Sequence, residues 1–507
     1  TSAPTKGESS LSHIEALRKR NWEELLVIAI ASVAALIRAW RIFTRIDYYG
    51  DSYHHWLISY LTATNSYIYT DFKPNTMNIV WLPLYHYVNA FLMNMSGIYD
   101  LTVPHTVNIV AGSLTCILVY KTARLSLNRT LATAAGLSLA VQPWFIEINS
   151  WGVTETLAAL FIMSAIYFYF KGNPAYTTIS IVLSMLTRYE GWVFASILLF
   201  AAVVERRWRR KQYVLYLVAC LSIVLGWSLW SYLKTSDFMA WYRLQSTMLR
   251  WDVLFLGGQR RLDLSTLTLY LRLALDTTSY VFLIGLAASI VKKPPRRNAM
   301  VLALVELAYI LLISVQQSLG FALLHPRHLV YVFPITATLC FQILERIDIK
   351  KIPHILPKKI ALSILMVTLI AMPTVIQIDL FKPKSYLIEY EVDTGLELRR
   401  IYRGGNVICD SPAIIYYTQL DPRSFYSSNY LFWYSGTWNK VELQEWLNEH
   451  HIVYLVWQNV SYSATWWLFP ELAQGKSLRI DRIEFELRYM SSTEPSPIYV
   501  YEIILPK

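Results

Sequence analysis

Charge is scarce in this 507-residue sequence, where Asp, Glu, Lys and Arg together make up 16%. A water-soluble chain needs roughly a quarter of its residues charged to cover its surface, so a soluble globular protein is excluded. Cysteine is scarcer still. Cys116, Cys220 and Cys340 fall inside apolar segments and Cys409 lies in the tail, which leaves neither a disulfide framework nor a CxxC metal site. The Walker and GxGxxG loops that cradle nucleotide phosphates are absent, and no internal repeat is present. A cleavable signal peptide is not expected: residues 1–20 are polar, and the first apolar run is long enough to stay as an anchor.

What is abundant points to the bilayer. Hydrophobic residues make up 55% of the chain and the mean hydropathy is +0.34. The 18 Trp and 35 Tyr suit membrane interfaces, where a flat ring with one polar atom sits well. A net charge of +11 would suggest nucleic acid in a soluble protein. Here the basic residues flank apolar runs, so no nucleic-acid partner is expected.

Segments long enough, or nearly so, to span the bilayer lie at 24–42, 104–124, 130–147, 154–170, 174–189, 190–205, 212–232, 266–291, 298–316, 328–345 and 359–378. Basic clusters fix their orientation. Arg18–Arg20 precede the first span, Lys121, Arg124 and Arg129 follow the second, and Lys171 follows the fourth. Arg206, Arg207, Arg209, Arg210 and Lys211 follow the sixth; Lys292, Lys293, Arg296 and Arg297 follow the eighth; Lys350, Lys351, Lys358 and Lys359 follow the tenth. All fall on one side if the N-terminus is cytoplasmic. The expected fold is therefore a polytopic α-helical membrane protein of about eleven spans with a small C-terminal extracytoplasmic α/β domain. Its parts are a cytoplasmic segment 1–23, a membrane domain 24–378 with a large first external loop 43–103, and the tail domain 379–507. The apolar stretch 79–97 would break the charge pattern if it spanned, so an interfacial or re-entrant helix is expected there. In the tail, strand-like runs at Asn406–Cys409, Ile452–Trp457, Ile483–Tyr489 and Ile498–Leu505 flank a helix-like Lys440–His450.

Four polar motifs land on the external face. Gly50-Asp51-Ser52-Tyr53-His54-His55 opens the first loop: Gly50 permits a sharp turn, Asp51 is placed to cap a helix starting at Ser52, and the two histidines come round toward Asp51. Glu155 begins an otherwise apolar helix, and a carboxylate that near hydrocarbon is a site candidate. Thr187-Arg188-Tyr189-Glu190 forms a tight hairpin, and His325-Pro326-Arg327-His328 precedes a late span. Each has an ordinary explanation, as a cap, an interfacial ion pair or an anchor. Four on one face point to one cavity that joins carboxylates to an Arg suited to phosphate oxygens.

At these residues the chain resembles the GT-C superfamily of integral membrane glycosyltransferases, which use polyprenyl-phosphate-linked sugars. The Gly50–His55 string looks like the first acidic motif of archaeal oligosaccharyltransferase catalytic subunits. Trp81-Leu82-Pro83-Leu84-Tyr85-His86 resembles the superfamily's proline-containing interfacial segment, and Thr154-Glu155-Thr156 stands where its second acidic motif stands. His325-Pro326-Arg327-His328 with Val332-Phe333-Pro334 is similar to the donor-phosphate loop of protein O-mannosyltransferase-like members. The resemblance covers about residues 20–378. The tail has no WWDYG motif, which argues against transfer of a whole oligosaccharide to protein.

The resemblance implies a hexosyltransferase acting at the extracytoplasmic face, with Asp51 and Glu155 catalytic and Asp51 the general base of an inverting displacement. Arg327, Arg188, His54, His55, Glu190, His325 and Tyr53 are the candidate substrate-binding side chains. A divalent cation, Mg2+ or Mn2+, is left open, with Asp51 and Glu155 as its candidate ligands; a single carboxylate in the second motif weighs against it. The expected partners are membrane lipid, a polyprenyl (dolichyl)-phosphate-linked sugar, and a glycan, lipid or protein acceptor. A multi-pass plasma-membrane protein of archaeal or bacterial type is expected. The alternatives are a lipid-linked-sugar flippase, for which midplane polar groups and paired broken helices would be the signature, and oligosaccharyltransferase-like transfer to protein.

Overall fold

The computed structural model describes residues 6–71, 78, 80–244, 246, 264–278, 281–290, 297–318, 325–342, 344, 358–381, 387–428, 440–460, 463–480, 482–491 and 497–506. Every apolar segment expected to cross carries helix: α1 (Lys6–Thr44), α4 (Thr102–Arg124), α5 (Arg129–Ala140) with α6 (Pro143–Ser150), α7 (Glu155–Phe170), α8 (Pro174–Met185), α9 (Glu190–Val204), α10 (Arg210–Thr235), α11 (Leu264–Thr278) with α12 (Val281–Ile290), α13 (Arg297–Ser318), α14 (Val332–Cys340) and α15 (Lys358–Ile376). Two further helices, α2 (Gly50–Thr64) and α3 (Leu84–Ser96), lie between α1 and α4.

Length divides these helices. Among the described residues, four are long and apolar enough to span, within α1, α4, α10 and α13, or up to six if each bent pair counts as one. The pair α5–α6 is bent by 53°, where Gln142 accepts from the Phe145 N–H and Pro143 opens the new helix. Helices α7, α8 and α9 are 16, 12 and 15 residues long, short of the roughly 20 a full crossing needs. Non-helical backbone at membrane depth is tolerated where it lines a protein interior. Glu155 and Glu190 open α7 and α9, and Arg188 lies in the turn before α9.

Helix α1 runs unbroken from Lys6 to Thr44, so the polar stretch before the first apolar run is helical as well. The 79–97 stretch holds a helix of only 13 residues, α3, which fits an interfacial element. Helix α2 starts at Gly50 and not at Ser52, so Asp51 sits in its first turn, and Tyr49 at the N-cap makes no side-chain cap. The backbone freedom of Gly50 is not used: a Cβ there would meet open space.

The tail forms a six-stranded mixed sheet. Its strands are β1 (Asn406–Ile408), β2 (Phe425–Tyr426), β3 (Ile452–Gln458), β4 (Leu478–Ile480), β5 (Ile483–Met490) and β6 (Ile498–Ile504), in the order β2-β1-β3-β6-β5-β4. β1 is parallel to β2 and β3, and the remaining pairs are antiparallel. Helices α16 (Leu387–Ile401), α17 (Pro412–Thr418), α18 (Lys440–Glu449) and the short α19 (Thr465–Leu468) accompany the sheet. The two-residue alternation of strands splits its side chains into two cores. Val407, Tyr454, Val456 and Val500 join a core that includes Tyr53, Trp56 and Leu57 of α2. Ile408, Leu455, Trp457 and Tyr501 fill the opposite one. Each such side chain contributes roughly 1.5–3 kcal/mol of burial, so one face of α2 is fixed to the tail and its other face is left for the membrane domain.

Candidate active site

The loop before α2 is held by a carboxylate that carries no motif. Asp47 accepts from the Tyr49 backbone N–H at 3.0 Å, from the Gly152 N–H at 3.2 Å, and pairs with His105 Nε2 of α4 at 3.0 Å. The Gly152 N–H also donates to Ser52 Oγ at 3.1 Å. Tyr49 stacks on Trp151 with centroids 4.3 Å apart and planes 11° off parallel. These contacts bind the start of α2 to the turn that opens α7, which is why Asp51 and Glu155 come to share Arg327 although four helices, α3 to α6, separate α2 from α7 along the chain.

The four motifs assemble into one alternating chain of charge. Arg327 Nη1 donates to Asp51 Oδ2, and Arg327 Nε faces Glu155 Oε1 at 3.6 Å. Glu155 Oε1 lies 3.0 Å from Arg188 Nη1. Arg188 then grips Glu190 with two parallel hydrogen bonds, at 3.0 and 2.8 Å, and donates to Thr154 Oγ1 at 3.1 Å. Glu190 also meets His328 Nδ1 at 3.2 Å. Asp51, Glu155 and Glu190 each stand in the first turn of a helix, where the exposed N–H groups and the helix dipole favour negative charge. Glu155 is fully buried, whereas the Asp51 side chain is 31% exposed, so the network has an open end at Asp51.

Burial by itself would raise the Asp51 carboxyl; the Arg327 guanidinium more than offsets this and holds Asp51 well below the usual carboxylate range. Burial opposes the charge on Arg327 as well, and Tyr49, Asp51 and Glu155 outweigh it, so it is firmly cationic. His325 is the reverse case. Burial, aided by Arg327 and His328, pushes its ring down to about 3. The neutral His325 Nδ1 accepts from the Arg327 backbone N–H at 3.2 Å and thereby shapes the turn that presents Arg327. The Tyr49 ring lies 5.3 Å from the Arg327 guanidinium carbon, a cation–π contact that steadies it.

The remaining sequence candidates are turned to other partners. Tyr53 donates to the Asp47 carbonyl at 2.8 Å and meets Tyr417 Oη of the tail at 3.1 Å. His54 Nε2 pairs with Asp71 at 2.9 Å. His55 Nδ1 meets His86 Nε2 at 2.9 Å, and His86 Nδ1 meets Tyr69 Oη at 2.8 Å and the Leu82 carbonyl at 3.2 Å. The direction of this second chain follows from its far end. Carbonyls only accept, so Tyr69 donates to the Trp81 carbonyl at 2.9 Å and His86 Nδ1 carries its proton toward Leu82 and Tyr69. His86 Nε2 is then bare and His55 Nδ1 donates to it. The buried His55 Nε2, which has no partner, carries a lone pair.

Asp47, Asp71, His86 and His328 lie in these networks and were not singled out. His86 and His328 stand inside motifs already quoted, so reading each motif for all its polar members would have found them. Asp71 pairs with a residue 17 positions away, and no spacing rule announces it. The two carboxylates suggested for a divalent cation do not fit one, because the Arg327 guanidinium stands against both and hard cations need several free oxygens. Among the described residues there is no group of three His, Cys, Asp or Glu placed to hold a metal.

Comparison with known proteins bears on this arrangement. The family model described as dolichyl-phosphate-mannose-protein mannosyltransferase matches residues 73–230, a stretch that holds Glu155, Arg188 and Glu190. No curated protein matches the sequence. Among solved structures, ArnT from Cupriavidus metallidurans in the apo state is similar with a TM-score of 0.62 at 12% identity, over 96% of this chain and 98% of that one. Its complex with undecaprenyl phosphate is similar with a TM-score of 0.60 at 12% identity, over 95% and 98%. An Archaeoglobus fulgidus oligosaccharyltransferase in complex with Zn and sulfate gives a TM-score of 0.55 at 14% identity, over 85% of this chain and 67% of that one. The chain thus has the fold of ArnT and of that oligosaccharyltransferase, and part of it, residues 73–230, matches the mannosyltransferase family model.

Proposed function

We propose that this enzyme transfers one sugar from a polyprenyl-phosphate-linked donor to an acceptor hydroxyl at the extracytoplasmic face of a plasma membrane. The observation that carries the reading is the single network joining Asp51, Arg327, Glu155, Arg188 and Glu190. Two guanidiniums beside three helix N-termini suit an anion, and Arg matches phosphate oxygens in two directions at once. The structural neighbour that binds undecaprenyl phosphate has the same fold, which supports a polyprenyl phosphate as the carrier.

Asp51 is the general base and takes the proton of the acceptor hydroxyl as its oxygen attacks the anomeric carbon. The anomeric carbon–phosphate oxygen bond breaks, and the electron pair leaves on the phosphate, where Arg327 stabilises it. One displacement with one carboxylate base inverts the anomeric centre. Glu155 balances Arg188 and Arg327 and keeps both in place. The basic clusters put the N-terminus in the cytoplasm, with the tail on the side of Asp51; the contact of Tyr53 with Tyr417 suits a tail that shapes the acceptor side. About eleven crossings follow if the bent and short helices each complete one.

Purified protein given a panel of polyprenyl-phosphate sugars and glycan, lipid and peptide acceptors should yield a singly glycosylated product, identified by mass spectrometry. Asp51→Asn should remove transfer while the protein stays folded. Near wild-type turnover in that variant would sink the base assignment.

A further inference from the structure

Anions outnumber cations in the network. Three carboxylates, Asp51, Glu155 and Glu190, share two guanidiniums. Arg188 is committed: Nε and Nη2 hold Glu190, and Nη1 reaches Thr154 and Glu155. A donor phosphate would add a fourth anion, and Arg327 is the guanidinium left to receive it. Arg327 cannot easily move, since His325 fixes its backbone and Tyr49 covers its guanidinium. Glu155 cannot leave either, being fully buried. The group able to yield is Asp51, whose side chain is 31% exposed at the open end of the network.

We propose that Asp51 and the donor phosphate compete for Arg327, so that donor binding itself releases the Asp51 carboxylate for the reaction. This rests on the reading that Arg327 receives the phosphate. In the resting enzyme Asp51 is an ion-pair partner and a weak base. Phosphate draws the guanidinium's charge to itself and repels the carboxylate beside it. Asp51 turns toward the acceptor hydroxyl, takes its proton as the new glycosidic bond forms, and polyprenyl phosphate departs with the electrons of the broken bond. The base is therefore strong only when a donor is present, which guards against proton abstraction in an empty site.

The consequence is counterintuitive: removing the carboxylate should strengthen donor binding. Binding of undecaprenyl phosphate to the full chain in lipid nanodiscs, measured by calorimetry, should be about ten-fold tighter for Asp51→Asn, the factor that ~1.4 kcal/mol of relieved competition produces. Asp51→Ser serves if the first variant fails to fold. On the Arg327→Gln background the same change at Asp51 should have no effect, because the contested group is gone. If Asp51→Asn binds as the wild type does while Arg327→Gln binds more weakly, the competition is overturned and the phosphate role of Arg327 stands. If Arg327→Gln itself binds as the wild type does, the phosphate reading fails and this inference falls with it.

Discussion

Glu155→Gln isolates the electrostatic balance of the site. The substitution keeps size and shape and removes one charge. Glu155 Oε1 lies 3.0 Å from Arg188 and 3.6 Å from Arg327. At an effective dielectric of about 20, each contact carries roughly 5 kcal/mol of attraction. A buried carboxylate also bears a desolvation cost of several kcal/mol, which the neutral amide escapes. Arg188 keeps Glu190 and Arg327 keeps Asp51, so neither guanidinium is left unpaired. The net loss expected is about 3 kcal/mol, between a single charged hydrogen bond and a fully broken buried pair. Thermal unfolding of the purified protein should show a midpoint several degrees below wild type, and sugar transfer should fall with it, because the two guanidiniums lose the carboxylate that bridges them and spread apart. A variant with the wild-type midpoint and wild-type turnover would refute the view that Glu155 holds the two arginines together.

Two other predictions test parts of the molecule that the network does not reach. Arg41 and Glu147 form a buried ion pair with contacts of 2.8 and 2.6 Å that ties α1 to α6; Arg41→Met strands the carboxylate and should cost about 3–5 kcal/mol, read as a lowered unfolding midpoint that Arg41→Met/Glu147→Met partly restores. In nitrogen-15 NMR of histidine-labelled protein, His55 and His86 should both carry their proton on Nδ1; a proton on His55 Nε2 would reverse the direction assigned to the chain that ends at the Leu82 and Trp81 carbonyls.

Much of the architecture was legible because the bilayer imposes simple rules. An apolar run surrounded by lipid has to satisfy its own backbone, so it becomes helix. The strands Asn406–Ile408, Ile452–Gln458, Ile483–Met490 and Ile498–Ile504 were legible from their apolar, β-favouring runs, whereas β2, at two residues, was too short to leave a pattern and β4 was missed. The bend between α5 and α6 was missed, since it depends on how Gln142 and Pro143 reset the backbone inside a continuous apolar run. The site residues Asp51, Glu155, Arg188 and Arg327 stood out because a charge beside hydrocarbon is costly and needs a reason. Asp47 and Asp71 did not stand out. They lie in a polar loop where an acidic residue has no such cost, and only their partners His105 and His54 give them meaning.

The sequence alone thus determined which apolar segments carry helix and which charges are too expensive to be incidental. Those are one-dimensional consequences of transfer free energy. The pairing of those charges was settled only in three dimensions. Arg327 could have faced solvent, Glu155 or Asp51 with equal chemical sense, and the turn shaped by His325, together with the stack of Tyr49 on Trp151, selects Asp51 and Glu155 together. Partner choice among like charges depends on angstroms of separation, and those are set by packing between segments far apart in the chain.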